Sequence, residues 1–334
     1  MVQFLLGQPE MADPPLLSVR DLTVAFDTRR GPFEAVRGVS FDVQPGKTLG
    51  VVGESGSGKS VTAMALMRLL PDAAEITAGT VHFAGRDLGG LSERDMQSVR
   101  GREIAMVFQD PMASLNPIFT IGHQVMESLR LQLGLSRAAA KTRAEEFLAL
   151  VRIPSPRDIL RAYPHELSGG MRQRVMIAIA LSCGPKLLIA DEPTTALDVT
   201  TQAQILELLR DLQGSLHMAV LLITHDLGVI AEFADDVLVM YAGRAVERSP
   251  VAALFEKPGH PYTEGLLRSM PPLDDEDPEV LPAIEGNVAS PFDLPSGCSF
   301  HPRCPYAWDA CRLQSPPLAR LADNHDAACL RVTC

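Results

Sequence analysis

The chain has 334 residues, 46% of them hydrophobic and 21% charged, with 41 acidic against 30 basic side chains and a formal net charge of -11. That length holds one large core with a smaller appendage, and the composition excludes a disordered polymer. The acidic balance excludes a broad nucleic-acid-binding face, though not a nucleotide site, which needs only local positive potential.

No apolar stretch reaches the roughly 20 residues needed to span a bilayer; Met218–Thr224 and Val175–Cys183 fall well short. Residues 1–15 contain Phe4-Leu5-Leu6 but no basic n-region, and are expected to form a loose N-terminal extension and not a signal peptide. The chain is therefore expected to stay in the cytoplasm and to reach a membrane only through partners.

From Leu16 to about Glu256, short apolar strands alternate with amphipathic helices and Gly-rich connections, the pattern of an α/β domain. Leu17–Phe26 and Val36–Val43 alternate like antiparallel strands. Thr48–Val52 reads as a buried strand, followed by a helix from about Lys59 to Leu70. Ala138–Val151 has helical spacing, while Leu187–Ala190 and Val220–Thr224 have the length and apolarity of central parallel strands.

Between the first buried strand and its helix lies Gly53-Glu54-Ser55-Gly56-Ser57-Gly58-Lys59-Ser60, a P-loop in the context that confirms it. Glycines let the backbone wrap close to phosphate, and successive N–H groups point inward at a helix start carrying roughly +0.5 of a charge. Lys59 is expected to reach the terminal phosphates and the Ser60 hydroxyl to bind Mg²⁺. Strand 187–190 delivers Asp191 and Glu192, the first expected to hold Mg²⁺ and the second to polarise the attacking water.

Leu167-Ser168-Gly169-Gly170-Met171-Arg172-Gln173-Arg174 sets a second Ser-Gly-Gly nest at a helix start. One subunit has no use for two such nests, so this one is expected to close over the γ-phosphate held by a partner's P-loop. The octet resembles the signature sequence of ABC-transporter nucleotide-binding subunits. In that family Gln109, after strand 104–108, occupies the Q-loop position, His225, after strand 220–224, that of the switch histidine, and Ala196-Leu197-Asp198 that of the D-loop. Phe26 matches the aromatic that stacks on adenine. Met171 in place of the more frequent Gln is usual in the peptide-importer branch.

The resemblance continues into the tail. Pro258-Gly259-His260-Pro261-Tyr262-Thr263 and Gly297-Cys298-Ser299-Phe300-His301-Pro302-Arg303-Cys304-Pro305 look like the oligopeptide/dipeptide subfamily of bacterial importers. Prolines are dense from Lys257 onward and an acidic run spans Asp274 to Asp277, so long regular elements are not expected and the segment needs some other staple. Cys298, Cys304, Cys311 and Cys329 are separated by five, six and seventeen residues, wider than the close pairing of structural zinc sites. Four thiolates with Pro305 beside a ligand suit an iron–sulfur cluster better, and the resemblance implies a 4Fe-4S cluster there; Zn²⁺, or free or paired thiols, are the alternatives. His301 and His325 are expected to be bystanders, Cys183 to be a core residue and Cys334 a terminal thiol.

The resemblance implies a P-loop NTPase fold with a RecA-like core, an antiparallel β-subdomain and a helical subdomain, followed by a cysteine-rich, loop-rich module. The expected boundaries are 16–256 for the ABC ATPase domain, about 110–168 for its helical subdomain, and 257–334 for the C-terminal regulatory module. The implied function is an ATPase that powers a bacterial ABC importer, with ATP and Mg²⁺ bound by Phe26, Gly53, Ser55, Gly56, Ser57, Gly58, Lys59, Ser60 and Asp191, with Gln109 also on Mg²⁺. Ser168, Gly169 and Gly170 would face the other subunit's nucleotide, and Glu192, His225 and Gln109 would carry catalysis. Implied partners are two integral-membrane permease subunits, a second homologous ATP-binding subunit (or a copy of this one) and, indirectly, an extracytoplasmic solute-binding protein. The expected place is the cytoplasmic face of the inner membrane. Di- or oligopeptide, nickel and glutathione cargo all remain open. A soluble ABC ATPase acting on ribosomes or DNA would show duplicated cassettes or a coiled-coil insertion, and the chain has neither.

Overall fold

A computed structural model describes residues 14–195, 197–270 and 283–333. Ala196 of the D-loop, the acidic run 274–277, most of the N-terminal extension and Cys334 lie outside them. Twelve strands are described: β1 Leu17–Phe26, β2 Phe33–Val43, β3 Thr48–Val52, β4 Ala74–Phe83, β5 Arg86–Asp87, β6 Ile104–Val107, β7 Leu187–Asp191, β8 Ala219–Thr224, β9 Asp236–Tyr241, β10 Arg244–Pro250, β11 Ala319–Ala322 and β12 His325–Ala327. They form an antiparallel sheet ordered β2-β1-β4-β5 and a mixed sheet ordered β11-β12-β10-β9-β3-β8-β7-β6.

The strands β6, β7, β8, β3 and β9 are parallel neighbours, and every residue of β3, β6, β7 and β8 is buried. A strand covered on both faces is near-continuously apolar, which is why these segments read as apolar runs; the exceptions, Thr48, Asp191 and Thr224, stand at strand ends and are hydrogen-bonded. Successive side chains nevertheless part company, as a period of two requires. Leu49, Val51, Leu187, Ile189, Leu221 and Ile223 pack toward the antiparallel sheet and the helix Lys59–Leu66. Val52, Leu188, Ala190, Val220 and Leu222 pack toward the helices Ile121–Leu133, Arg137–Leu150, Gly169–Leu181 and Val199–Leu216. One sheet thus joins two cores, and the nucleotide motifs lie at its strand ends.

The helix after the P-loop stops at Leu66, short of the expected Leu70. Arg68 takes a left-handed φ of 51°, its N–H donates to Ala65 O at 3.0 Å and that of Leu69 to Met64 O at 2.9 Å. This is a Schellman ending, with arginine in the place usually given to glycine. Cys183 lies just past the helix Gly169–Leu181, half-buried and packed on the core, with its thiol pushed up by burial.

The proline-rich tail is stapled by burial and by a carboxylate. Strand β12 pairs antiparallel with β10 and β11 with β12, extending the main sheet, while Tyr262 and Phe300 sit in the main core at 0% and 2% exposure. Glu247 of β10 is fully buried; its carboxylate accepts the N–H groups of Gly259 at 2.6 Å and His260 at 2.9 Å, and lies 2.8 Å from His325 Nε2. His325, expected to be a bystander, closes this network.

His260 is enclosed, and burial pushes its imidazole down to about 3. Its Nδ1 accepts the Tyr262 N–H at 3.0 Å, so the ring is neutral and caps the helix Pro261–Arg268. A folded-state value below the ordinary one near 6.5 means the unfolded chain takes up the proton first. The stability this contributes is complete above about pH 6.5 and is lost as pH falls toward 3, at ~1.4 kcal/mol per unit, hence about 2 kcal/mol by pH 5. His260→Asn keeps an acceptor for the Tyr262 N–H and should flatten the pH 7-to-5 difference in urea unfolding free energy by about that amount.

Candidate nucleotide site

The P-loop leaves β3 at Val52 and enters its helix at Lys59. Gly58 has φ 99° and a Cβ there would meet Ala35 O at 2.5 Å; at Gly53 it would meet Met240 O at 2.2 Å. Both positions therefore demand glycine. Lys59 is 5% exposed. Its Nζ donates to Gly53 O at 2.7 Å and Glu54 O at 3.0 Å, and desolvation draws its pKa below the ordinary lysine value. It also donates to Ser57 Oγ at 3.4 Å, and a desolvated ammonium held by carbonyl and hydroxyl oxygens alone is a strong site for an incoming anion.

Parallel pairing of β3, β8 and β7 brings the other motifs to the same edge. Ser60 Oγ donates to Asp191 Oδ1 at 3.0 Å; burial pushes the Asp191 carboxyl up, an effect that the Ser60 hydrogen bond opposes. Beyond it, Glu192 turns with φ 47°, and its N–H donates to Ile223 O at 2.8 Å. Its Oε2 accepts from Gln109 Nε2 and from Thr195 Oγ1, each at 2.8 Å, and its Oε1 lies 3.4 Å from His225 Nδ1. Gln109, Glu192 and His225, expected from three separate strand ends, do converge. Thr195 was missed, although its place three residues after Glu192 was a usable signal.

Phe26 ends β1 and stacks on Phe33, ring centroids 5.3 Å apart and 6° from parallel. A cavity of about 280 Å³ has Phe26, Gly56, Gly58 and Val61 among its lining residues, with Ala289 and Leu294 of the tail. The Ser168 loop lies apart: Ser168 Oγ caps its own helix by accepting the Met171 N–H at 3.3 Å, and a Cβ on Gly170 would meet Thr201 Cγ2 at 2.9 Å. Among the described residues no hydrogen bond joins Ser168, Gly169 or Gly170 to the P-loop of the same chain.

The expected metal centre is corrected. Cys298, Cys304, Cys311 and Cys329 line one cleft, but its volume is about 20 Å³, room for about one water. Burial pushes the thiols of Cys298, Cys304 and Cys329 up. Among the described residues no group of three or more His, Cys, Asp or Glu side chains could hold a metal ion. The donor set fits neither a 4Fe-4S cluster nor Zn²⁺, and the cysteine-rich module assumed to depend on it is held by Tyr262, Phe300 and Glu247 instead.

Comparison with known proteins agrees with this geometry. The ABC transporter family model matches residues 36–195, and the model for the oligopeptide/dipeptide transporter C-terminal region matches residues 246–311. The chain is 49% identical over 314 residues to the dipeptide transport ATP-binding protein DppD of Escherichia coli (strain K12), covering 94% of this chain and 96% of that protein. Its fold is similar to the ATP-binding cassette MJ0796, solved as a dimer in a post-hydrolysis state bound to ADP and Pi, with TM-score 0.64, 26% identity and coverage of 70% of this chain and 98% of that one. It is also similar to cbiO1 from Clostridium perfringens, part of the cbiONQ ABC transporter complex, with TM-score 0.62, 26% identity and coverage of 73% and 91%. A P-loop beside a part-buried Ser60–Asp191 pair, a glutamate gathered by Gln109 and His225, and these similarities over nearly the whole chain place it in one family: the chain belongs to the ABC-transporter ATP-binding proteins, on the branch that carries the oligopeptide/dipeptide transporter C-terminal region.

Proposed function

We propose that this chain is the ATP-binding and ATP-hydrolysing subunit of a bacterial importer of di- or oligopeptides, and that it works as one of two facing cassettes on a membrane permease. The observation that carries the reading is the convergence of Gln109, Thr195 and His225 on Glu192, one residue beyond the Asp191 that receives the Ser60 hydroxyl. Similarity to the E. coli dipeptide transport protein supports peptide as the cargo.

In this reading ATP enters as its Mg²⁺ complex. Ser60 and Asp191 supply adjacent oxygen ligands for the cation, with Gln109 beside them. Lys59 exchanges two backbone carbonyls for phosphate oxygens, Gly53 to Gly58 offer their N–H groups, and Phe26 takes the adenine, a stack of about 1–3 kcal/mol. Glu192 orients the attacking water and draws its proton; His225, exposed on the open side, reaches the γ-phosphate. Ser168, Gly169 and Gly170 of one cassette close over the nucleotide of the other.

The region from about 110 to 168 is the helical subdomain that Gln109 hinges, within an ATPase domain of 16–256 and ahead of a C-terminal region from 257. Met112, Ile118 and Phe119 are 57%, 72% and 40% exposed, apolar side chains near the hinge that are suited to receive a helix from the permease. Among the described residues no helix is long and apolar enough to cross a membrane, and the chain is assigned to the cytoplasmic face of the inner membrane through two permease subunits. The second cassette is a homologous chain or a copy of this one, and an extracytoplasmic solute-binding protein delivers the cargo.

The test is reconstitution of the assembled complex in vesicles. ATP hydrolysis should rise when a peptide-loaded binding protein is supplied, and peptide should accumulate in the lumen. Purification of the chain with ribosomes or nucleic acid, and without membrane subunits, would overturn the reading.

A further inference from the structure

Glu54, the second residue of the P-loop, is gripped by the tail. Arg303, in the turn between Cys298 and Cys304, has a side chain only 5% exposed. Its Nη1 donates to Glu54 Oε2 at 2.7 Å and its Nη2 to Glu54 Oε1 at 3.0 Å, the two-pronged pairing that a guanidinium alone can make. The guanidinium is itself fixed, because Nε donates to Glu285 O and Nη2 to Ile284 O, each at 3.1 Å. Its bond to Glu54 raises its pKa above the ordinary arginine value. The backbone of Glu54 is held as well. Its N–H donates to Tyr262 Oη at 2.8 Å, and its carbonyl receives Lys59 Nζ.

Tyr262 is anchored in turn. It is fully buried, its ring packs on Tyr241 and Phe300, and its N–H goes to His260, whose own N–H goes to Glu247. A continuous set of hydrogen bonds therefore runs from β10 through the tail to the loop that meets phosphate. Each contact has a physical consequence. A carboxylate in a P-loop faces like charge when a triphosphate arrives, and it also competes for Lys59, whose charge Glu54 stabilises. Pairing with Arg303 neutralises that carboxylate and turns it toward the tail.

We propose that Arg303 and Tyr262 are positioning residues for this chain's P-loop, so that the C-terminal region sets the affinity for ATP without touching the reacting atoms. The proposal rests on Gly53–Ser60 being the nucleotide site.

The experiment is an ATP titration of the purified, assembled complex, following fluorescent-nucleotide binding together with KM and kcat. Arg303→Gln should weaken binding and raise KM about ten-fold, the worth of a charged hydrogen-bonded pair, while kcat at saturating ATP changes little. Arg303→Lys, which restores the charge without the fork, should recover part of the loss. The double variant Arg303→Gln with Glu54→Gln should recover more, because no unpaired carboxylate is left beside the loop. Tyr262→Phe removes only the acceptor for the Glu54 N–H and should shift KM in the same direction. An unchanged KM in Arg303→Gln, or a loss confined to kcat or to the amount of assembled complex, would overturn the proposal. So would a failure of Arg303→Lys and the double variant to restore affinity if Arg303→Gln itself does not assemble. Lys59→Ala in the same assay distinguishes a failure of the positioning role from a failure of the nucleotide site: retained affinity there would remove the nucleotide-site reading itself.

Discussion

Replacing Glu192 by Gln should lower ATP turnover of the assembled complex by about 10²–10⁴, the usual worth of general-base assistance, and leave ATP binding intact. Gln is the same size, so the side chain can stay between its neighbours. Gln109 Nε2 and Thr195 Oγ1 both donate to Oε2 at 2.8 Å, and that oxygen has a counterpart in the amide. What disappears is the negative charge facing His225 Nδ1 at 3.4 Å and the basicity needed to draw a proton from water. The hydrogen bonds of the binding elements are separate. Lys59 Nζ donates to Gly53 O and Ser60 Oγ to Asp191 Oδ1, so neither contact passes through the Glu192 side chain, whose charge reaches Lys59 and Asp191 only through space. Single-turnover measurements with labelled ATP, beside an equilibrium titration, distinguish the two effects. A variant that hydrolyses at the native rate would remove Glu192 from the chemistry; one that no longer binds would make it structural.

Ser168→Arg should have an effect of similar size by a different route. The helix Gly169–Leu181 begins with N–H groups that have no partner within the helix, and Ser168 satisfies only that of Met171. The remaining N–H groups and the helix dipole make a phosphate site, yet within this chain they are not joined to the P-loop. In the proposed facing pair their anion would come from outside the chain, as the γ-phosphate of the other cassette. A long cation at that position prevents close approach and removes a cap worth about 1 kcal/mol. ATP consumption by the assembled complex should fall by about 10²–10³, the range for loss of donors to a developing charge. Nucleotide binding by the isolated chain should not change, because its own P-loop is untouched. Normal hydrolysis in the complex would mean that the two sites are not shared.

Strand character, the P-loop and the order of the later motifs were legible because each rests on short-range rules. Buried parallel strands such as Leu187–Asp191 and Ala219–Thr224 are apolar up to the polar residue that ends each, and a loop that cradles phosphate needs glycine where Gly53 and Gly58 stand. Glu192 was legible as the residue after Asp191 at a strand end, while Gln109 and His225 were located by resemblance to the family, each just after a strand that ends at one edge of the sheet. The end of the first long helix was less legible. Its stop at Leu66 depends on Arg68 accepting a left-handed φ of 51°, which composition does not announce.

The cysteines mark the limit of spacing arguments. Four of them at wide intervals suggest a cluster, but ligation depends on how the fold places the sulfurs around one point. That is a property of the packed tail, where among the described residues no group of three or more His, Cys, Asp or Glu side chains could hold a metal ion and the cleft is about 20 Å³. Likewise nothing local to Glu247, His325, Arg303 or Glu54 declares their partners, which lie 78 residues away for the first pair and 249 for the second. Sequence by itself determined the family and the chemistry, because those are written in adjacent residues whose backbone must touch phosphate. Only the tertiary structure decided how the tail is held and what it grips, because long-range pairing is set by which surfaces the two cores leave to be covered.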